Sequence, residues 1–194
     1  MREKNPSQVV MLPKFRMSFP YLLEAYPQKR EDGTTVDEFR VQAIFPEGEE
    51  LTELKQVVTQ LVEEKWGKIR PKLDNLPIRL QAENLKPDGT LRPNMELGGK
   101  YYMNLKCSER PGVVDHNLHD VLNKEDVYPG RWARAQISVF TYFVKGKSGV
   151  SSRLRHVQIL EDDERLDFRQ KPEEVFSKVA LEKDDSGMTE NDLF

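Results

Sequence analysis

Residues 127–160 contain no aspartate or glutamate, although the chain has 33 acidic residues among its 194. From Arg131 the side chains in this stretch alternate in character, as they do in a strand whose successive side chains point to opposite faces. One face is apolar and carries Ala133, Ala135, Ile137, Val139 and Phe143. The other face carries Trp132, Arg134, Gln136, Ser138, Phe140 and Tyr142. The pattern predicts a long strand with one side in the core.

The second face of this strand combines large rings with positive charge. An exposed ring forfeits roughly 1.5 to 3 kcal/mol of burial, so three rings on a merely solvated face are unusual. Cations neutralise phosphates and aromatic faces stack on bases of any identity, which favours a surface for single-stranded nucleic acid. The alternative is a sheet buried on both faces, with the rings in a second core. Nearby cations extend the basic character, namely Arg131, Lys145, Lys147, Arg153 and Arg155.

The same alternation predicts three further strands. Phe15, Met17 and Phe19 alternate with Lys14, Arg16 and Ser18; Phe39, Val41, Ala43 and Phe45 alternate with Arg40, Gln42 and Ile44. From Lys100, the residues Tyr101, Met103, Leu105 and Cys107 alternate with Tyr102, Asn104, Lys106 and Ser108. This last polar set resembles the face of residues 132–142, and we expect the two to form one surface. Residues 145–149 are predicted to form a hairpin loop that either wraps a phosphate backbone or is a plain turn.

One amphipathic helix is predicted between the strands. It is marked by Leu51, Leu54, Val58, Leu61 and Val62 and ends near Gly67, with Trp66 as a core anchor. Five or six strands, one helix and a cationic sheet predict a mainly β protein with an OB-fold, a Greek-key barrel whose surface commonly binds oligonucleotides. We expect a flexible N-terminus over residues 1–10, the OB domain over 11–166 and a C-terminal segment over 167–194.

The C-terminal segment ends in an acidic tail, residues 181–194, in which five acids face one lysine. Its composition predicts disorder. Such an arm is expected to dock into a basic site on a partner or to compete with nucleic acid for the protein's own cationic groove. The residues expected to make these contacts are Asp184, Asp185, Glu190, Asp192 and Phe194. The alternative is an ordinary solubilising terminus.

Several short motifs resemble a known family. They are RPGVVD at 110–115, VYPGRWARA at 127–135, and GVS at 149–151 followed by VQ at 157–158. Together with the acidic tail they resemble the OB-fold single-stranded DNA-binding proteins of tailed bacteriophages and prophages, over roughly residues 10–180. The resemblance implies sequence-independent coating of single strands in phage replication, recombination or repair. It also implies that the tail contacts replication or recombination proteins.

The expected partners are therefore single-stranded DNA and replication or recombination proteins, with a homodimer left open. The predicted DNA-binding residues are Lys14, Arg16, Tyr102, Lys106, Tyr128, Trp132, Arg134, Phe140, Tyr142, Lys145, Lys147, Arg153 and Arg155. The single cysteine, Cys107, cannot form an internal disulfide, and no apolar run is long enough to span a membrane. We expect a protein of the host bacterial cytoplasm.

Two other functions compete with this interpretation: a structural or interaction protein of the phage particle, and a metal-dependent nuclease. His116, His119 and Asp120 lie near Asp115 and Cys107 in sequence and supply metal-ligand atoms, but their spacing is not a recognised one. Asp162, Asp163 and Glu164 are interpreted as a solvated acidic turn. We expect no enzymatic activity, no metal and no cofactor.

Overall fold

The computed structural model describes residues 5–30, 32–68, 70–95 and 99–167. In these ranges the chain forms eight strands, one α-helix and two single-turn 3-10 helices. In chain order the strands and the α-helix are β1 (Ser7–Met11), β2 (Phe15–Lys29), β3 (Thr35–Ile44), α1 (Thr52–Trp66), β4 (Arg79–Leu80), β5 (Tyr101–Cys107), β6 (Gly112–Val114), β7 (Trp132–Val144) and β8 (Lys147–Glu161). The predicted mainly β fold with a single helix is confirmed. The helix is not long and apolar enough to cross a membrane.

All eight strands belong to one curled sheet. Its order is β4-β5-β3-β2-β7-β8-β6, with β1 paired to β7 beside β2. Every pairing is antiparallel except that of β6 with β8. The sheet stays open, but β5 also lies alongside β8 and brings its two ends together. This arrangement is the OB-type fold that the sequence predicts.

Strand β7 is the centre of the sheet and follows the predicted alternation closely. Ala133, Ala135, Ile137 and Val139 are buried, and β7 pairs with β8 along its whole length. The exception is Phe143, which was expected in the core and is 61 % exposed. Thr141 takes the inward position instead, because the strict period of two continues from Val139 and places Phe143 beyond the edge of the core.

The helix forms where its apolar spacing predicts. Leu54, Leu61 and Val62 are buried, and α1 packs against β1 and β7. The next residue, Gly67, has a φ of 65°, a left-handed conformation that ends the helix at little cost for glycine. Trp66 packs against the main core, so its interpretation as a core anchor is confirmed.

Three short strands are not predicted by the alternation. Strands β4 and β6 are two and three residues long, too short for a period of two to be visible. Strand β1 lies within the predicted flexible N-terminus, which was wrong for residues 7–10. Val10 is buried there and β1 pairs with Phe140 through Gln136 of β7, because those backbone groups of β7 extend beyond the end of β2 and accept another strand.

Strand β2 is longer than predicted and irregular. It runs to Lys29, and its pairing with β3 shifts register twice, between Ser18 and Tyr21 and again between Tyr21 and Tyr26. Phe19, expected beside Phe15 and Met17 in the core, has a φ of 46° and is 48 % exposed. The irregularity turns its ring to the outer face, as bulges commonly do.

Gly130 is the glycine on which local packing depends most. Its φ is 115°, and a Cβ added there would lie 2.1 Å from the backbone oxygen of Glu164. Its amide donates to the Met17 carbonyl and its own carbonyl accepts from the Arg16 side chain. The VYPGRWARA motif at 127–135 therefore joins β2 to the residues that follow β8.

We expect Gly130→Ala to lower the free energy of unfolding by about 3 kcal/mol, because it combines left-handed strain with a backbone clash. Gly146→Ala is the matched control. Its φ of 78° also strains alanine, but nothing lies within 4 Å of the added Cβ, so a loss of about 1 kcal/mol is expected. Urea unfolding of both variants measures the difference. Equal losses would show that the contact with Glu164 is unimportant.

Candidate nucleic-acid interface

The outer faces of β2, β3 and β5 form a groove, here called the tyrosine groove. Pair register brings its residues together: Tyr21 lies opposite Arg40, Arg40 opposite Lys106, and Gln42 opposite Asn104. The cavity has a volume of about 430 Å³. Its lining contains Phe19, Gln28, Glu38, Arg40, Gln42, Arg79, Asn104, Lys106, Ser151 and Ser152. Three cations and one carboxylate in this lining make the groove net positive.

Two tyrosines lie beside the groove, in contact with Arg40, which is part of its lining. The rings of Tyr21 and Tyr26 meet edge to face with their centroids 4.9 Å apart. The Arg40 guanidinium lies 3.7 Å from the centroid of Tyr26 and 5.2 Å from that of Tyr21, and donates a 3.1 Å hydrogen bond to Gln28 Oε1. These cation–π contacts hold the three planar groups together. Tyr21 is 36 % exposed.

The floor of the groove is lined by amides and charged groups. Gln42 Nε2 donates to Asn104 Oδ1 at 3.0 Å, while Gln42 Oε1 is buried and has no partner among the described residues. Lys106 pairs with Glu38 at 3.1 Å, and Arg79 donates to Asn75 Oδ1 at 3.3 Å. A buried acceptor without a donor is costly, so this floor suits a ligand with N–H groups.

The β7–β8 hairpin ends in a two-residue turn of Lys145 and Gly146. Their φ angles of 52° and 78° are those of a type I′ turn, which matches the twist of the paired strands. The predicted hairpin is confirmed, but its loop is shorter than expected, because residues 147–149 belong to β8. Lys145 and Lys147 are exposed at its tip. Tyr142 packs its ring against Gly149, where an added Cβ would lie 2.7 Å from the tyrosine oxygen.

A second cavity, here called the arginine cavity, lies between the end of β5 and the middle of β8. Its volume is about 580 Å³. Its lining includes Ser7, Cys107, Glu109, Arg110, Ser138, Phe140, Arg153, Arg155 and His156. Burial raises the pKa of the Cys107 thiol to about 11, so the sulfur is a neutral part of the wall.

A third cluster surrounds Trp132, at the start of β7. Lys14 lies 4.6 Å from the centroid of the indole, whose N–H donates to Asp163 Oδ2 at 2.7 Å. The cations are paired with carboxylates of residues 161–164, here called the acidic turn. These pairs are Lys14 with Glu161 at 2.7 Å, Arg16 with Asp163 at 3.2 Å and Arg131 with Asp162 at 2.6 Å. The Tyr128 hydroxyl also donates to Asp162 at 3.2 Å.

The electrostatics of the acidic turn follow from these contacts. The pKa of Asp163 is lowered, chiefly by the backbone N–H of Glu164 and then by the Trp132 indole and the charges of Arg16 and Lys14. The pKa of Tyr128 is raised, chiefly by burial and then by the neighbouring Asp162. The turn is exposed, as the sequence analysis expected, and its carboxylates also neutralise cations that were predicted to bind DNA.

The sequence model of the Enterobacter phage Enc34 ssDNA-binding protein family matches residues 8–187. The chain belongs to this family. The single-stranded DNA-binding protein from bacteriophage Enc34 in complex with ssDNA has a TM-score of 0.60 and 20% identity, covering 81% of this chain and 88% of that one. A second structure of the Enc34 protein, described without mention of ssDNA, has a TM-score of 0.60 and 17% identity, covering 87% of this chain and 90% of that one. The bacteriophage T7 single-stranded DNA-binding protein gp2.5 has a TM-score of 0.55 and 14% identity, covering 84% of this chain and 97% of that one. No curated protein matches the sequence.

The predicted site residues do not form the single surface expected from the sequence. Lys106 lies in the tyrosine groove, and Phe140, Arg153 and Arg155 lie in the arginine cavity. Lys14, Arg16, Tyr128 and Trp132 lie in the Trp132 cluster, while Lys145 and Lys147 lie on the hairpin tip. Arg134 is exposed on the outer face of β7 and donates to Gln158 Oε1 at 2.8 Å. The predicted tail residues lie outside the described ranges.

Two predicted contacts need correction. Tyr102 is only 4 % exposed and packs with Ile44 and Met95, because the segment before β5 covers that end of the sheet. Its ring is therefore not a stacking platform. The Arg16 guanidinium donates hydrogen bonds to the Gly130 and Glu164 carbonyls, at 3.0 and 2.9 Å, and also forms an ion pair with Asp163. It holds the acidic turn in place.

The sequence analysis did not single out five residues in and beside the tyrosine groove, namely Tyr21, Tyr26, Gln28, Arg40 and Arg79. The tyrosines are five residues apart, a spacing that places them on opposite faces of a regular strand. The two register shifts of β2 put both on the outer face. The sequence feature that could have indicated this site is the set of three aromatic residues, Phe19, Tyr21 and Tyr26, on a strand whose partner carries Arg40.

The metal-site hypothesis finds no geometry to support it in the described part of the chain. His119 Nδ1 lies 3.3 Å from Asp115 Oδ2, and Asp115 Oδ1 accepts from the amides of Asn117 and His119. The carboxylate organises a turn. No group of three or more His, Cys, Asp or Glu side chains in the described ranges is placed to hold a metal ion.

The bond between Trp132 and Asp163 predicts a pH-dependent indole signal. Because the pKa of Asp163 is lowered, its carboxylate stays ionised below the ordinary value of 3.8, and the bond is lost as pH falls through the lowered pKa. We expect the Trp132 indole N–H resonance to shift with a midpoint below 3.8. Asp163→Asn should remove the transition, and the Trp66 resonance is the internal control. A Trp132 signal unchanged by the substitution would contradict the contact.

Proposed function

We propose that the protein binds single-stranded DNA without sequence preference, and coats it during phage replication, recombination or repair. The observation that carries this proposal is the pair Tyr21 and Tyr26 held by Arg40 at the side of a net-positive groove. Membership of a phage ssDNA-binding family supports it. So does the fold shared with the Enc34 protein, whose structure is of a complex with ssDNA.

Binding would combine stacking with neutralisation of phosphates. Bases are expected to stack on Tyr21, Tyr26 and the exposed Phe19, each contributing about 1 to 3 kcal/mol. Arg40, Arg79 and Lys106 would displace counterions from the strand. The hairpin lysines Lys145 and Lys147 would extend the positive surface. Because a duplex hides the faces of its bases, the tyrosine groove would discriminate against it.

Sequence independence follows from the kind of contact. Ring faces and phosphates are common to all nucleotides, whereas the Gln42–Asn104 amide pair is the one described part of the floor suited to reading a base edge. Its uncommitted Gln42 oxygen would accept from any base that presents an N–H group. We expect this pair to adjust affinity modestly without fixing a sequence.

We further propose that the acidic tail recruits replication or recombination proteins in the cytoplasm of the host bacterium. Its aromatic terminus, Phe194, and the carboxylates Asp184, Asp185, Glu190 and Asp192 suit a basic pocket with an apolar floor. In the free protein the tail would compete with DNA for cationic surface.

Tyr26→Ala should weaken binding to a mixed-sequence oligonucleotide by about 5- to 100-fold, the loss expected for one stacked base. Tyr26→Phe keeps the ring and should bind within about 2-fold of the parent protein. Fluorescence anisotropy with labelled oligonucleotides of thymine, adenine or mixed bases measures both. A loss confined to one base, or equal affinities for the two variants, would contradict stacking in the groove.

Deleting residues 181–194 removes a net charge of −4 and should leave binding to single strands unchanged or tighter. The matched control keeps the tail length and replaces its five acids by Asn or Gln. Both variants should show the same change in affinity for single strands in low salt, where screening is weak. A clear loss of affinity in either would rule out competition by the tail.

A further inference from the structure

The tyrosine groove and the arginine cavity are consecutive along the seam between β5 and β8. Leu105 and Lys106 line the groove, and the next residue of β5, Cys107, lines the cavity. On β8 the same step occurs between Ser152 in the groove and Arg153 in the cavity. The linings of the two cavities therefore adjoin in sequence on both strands, with neighbouring Cα atoms about 3.8 Å apart.

The arginine cavity has the charge that a phosphate backbone requires. Arg110, Arg153 and Arg155 line it with Glu109 as the single carboxylate in the lining. Arg155 donates to Ser138 Oγ at 3.2 Å, and neither Arg110 nor Arg153 forms an ion pair with a described residue. The charge of Arg153 reaches Cys107, whose pKa it lowers against the larger opposing effect of burial.

The cavity also contains a ring for stacking. Phe140 is only partly buried on the outer face of β7, opposite Ser7 of β1 and Ser151 of β8. Both neighbours are small, and Phe140 lines the cavity together with the arginines. A ring beside uncommitted guanidinium groups is the combination found in grooves that bind single strands.

We propose that a bound single strand continues from the tyrosine groove along the β5–β8 seam into the arginine cavity, where Arg110 and Arg153 bind its phosphates and Phe140 stacks one base. This inference rests on the proposed function and adds a second half to the site. The arginines contribute only when the strand is long enough to reach them. The acid-paired Trp132 cluster lies outside this path.

A length series tests the path. Labelled oligothymidylates of about 4 to 16 nucleotides, the range of single-strand site sizes for an OB-fold, are titrated against the full chain and followed by anisotropy. The test variant is Arg110→Gln with Arg153→Gln. The matched control is Lys86→Gln with Arg92→Gln, which removes two exposed cations that line neither cavity. Thermal unfolding establishes that each variant is folded.

We expect the test variant to equal the parent protein on the shortest oligonucleotides and to bind the longest ones at least about 10-fold more weakly. On long strands its slope of log K against log salt should fall by about 1.4, because two phosphate contacts are lost. Phe140→Leu should show a similar length-dependent loss of about 5-fold without the change in slope. The ratio of the control variant's affinity to that of the parent protein should stay the same at every oligonucleotide length.

Two results would overturn the path. Equal weakening at all lengths would show that the arginines act through the general field of the protein, and no weakening at any length would show that the cavity is not occupied. The proposed function fails differently: the parent protein would then bind no single strand, or Tyr26→Ala would bind the shortest oligonucleotides as well as the parent does.

Discussion

Strand β7 is the element on which the rest of the structure depends. It pairs with β8 along one edge and with β1 and β2 along the other, so three parts of the chain are positioned by a single ladder. Its inward side chains begin with Ala133 and Ala135, whose small size lets the helix approach closely. Burial on this one face fixes the register, because a slip of one residue would turn Trp132 and Arg134 inward.

The candidate site arises where regular pairing is interrupted. The two register shifts of β2 turn Phe19, Tyr21 and Tyr26 to the outer face beside Arg40, and the gap between β5 and β8 leaves the arginine cavity. Both features cost ladder hydrogen bonds or expose apolar surface, and both create concave surface with charge and rings. Around Trp132, by contrast, the carboxylates of the acidic turn form ion pairs with the neighbouring cations of the protein itself.

The sequence predicts what depends on local periodicity. The helix, strands β3, β5 and β7, and the hairpin at Lys145 and Gly146 follow from spacing and turn chemistry, and the family resemblance is confirmed by the match over residues 8–187. It does not predict which outward residues meet, because that depends on register shifts and long-range pairing. Tyr102 alternates correctly with Met103 yet is buried by the segment that precedes β5, whereas Tyr21 and Tyr26 break the alternation and lie beside the groove, in contact with Arg40.

In the proposed complex, the bases of single-stranded DNA lie at the tyrosine groove. An iodouracil-substituted single strand can be cross-linked to the full chain by ultraviolet light, and the adducts located by peptide mapping. This arrangement predicts adducts on Tyr21 or Tyr26, suppressed by excess unlabelled single strand and much less by duplex. Adducts only on Tyr128 or Trp132, or equal suppression by duplex, would contradict it and place the site at the acid-paired cluster or on a general cationic surface.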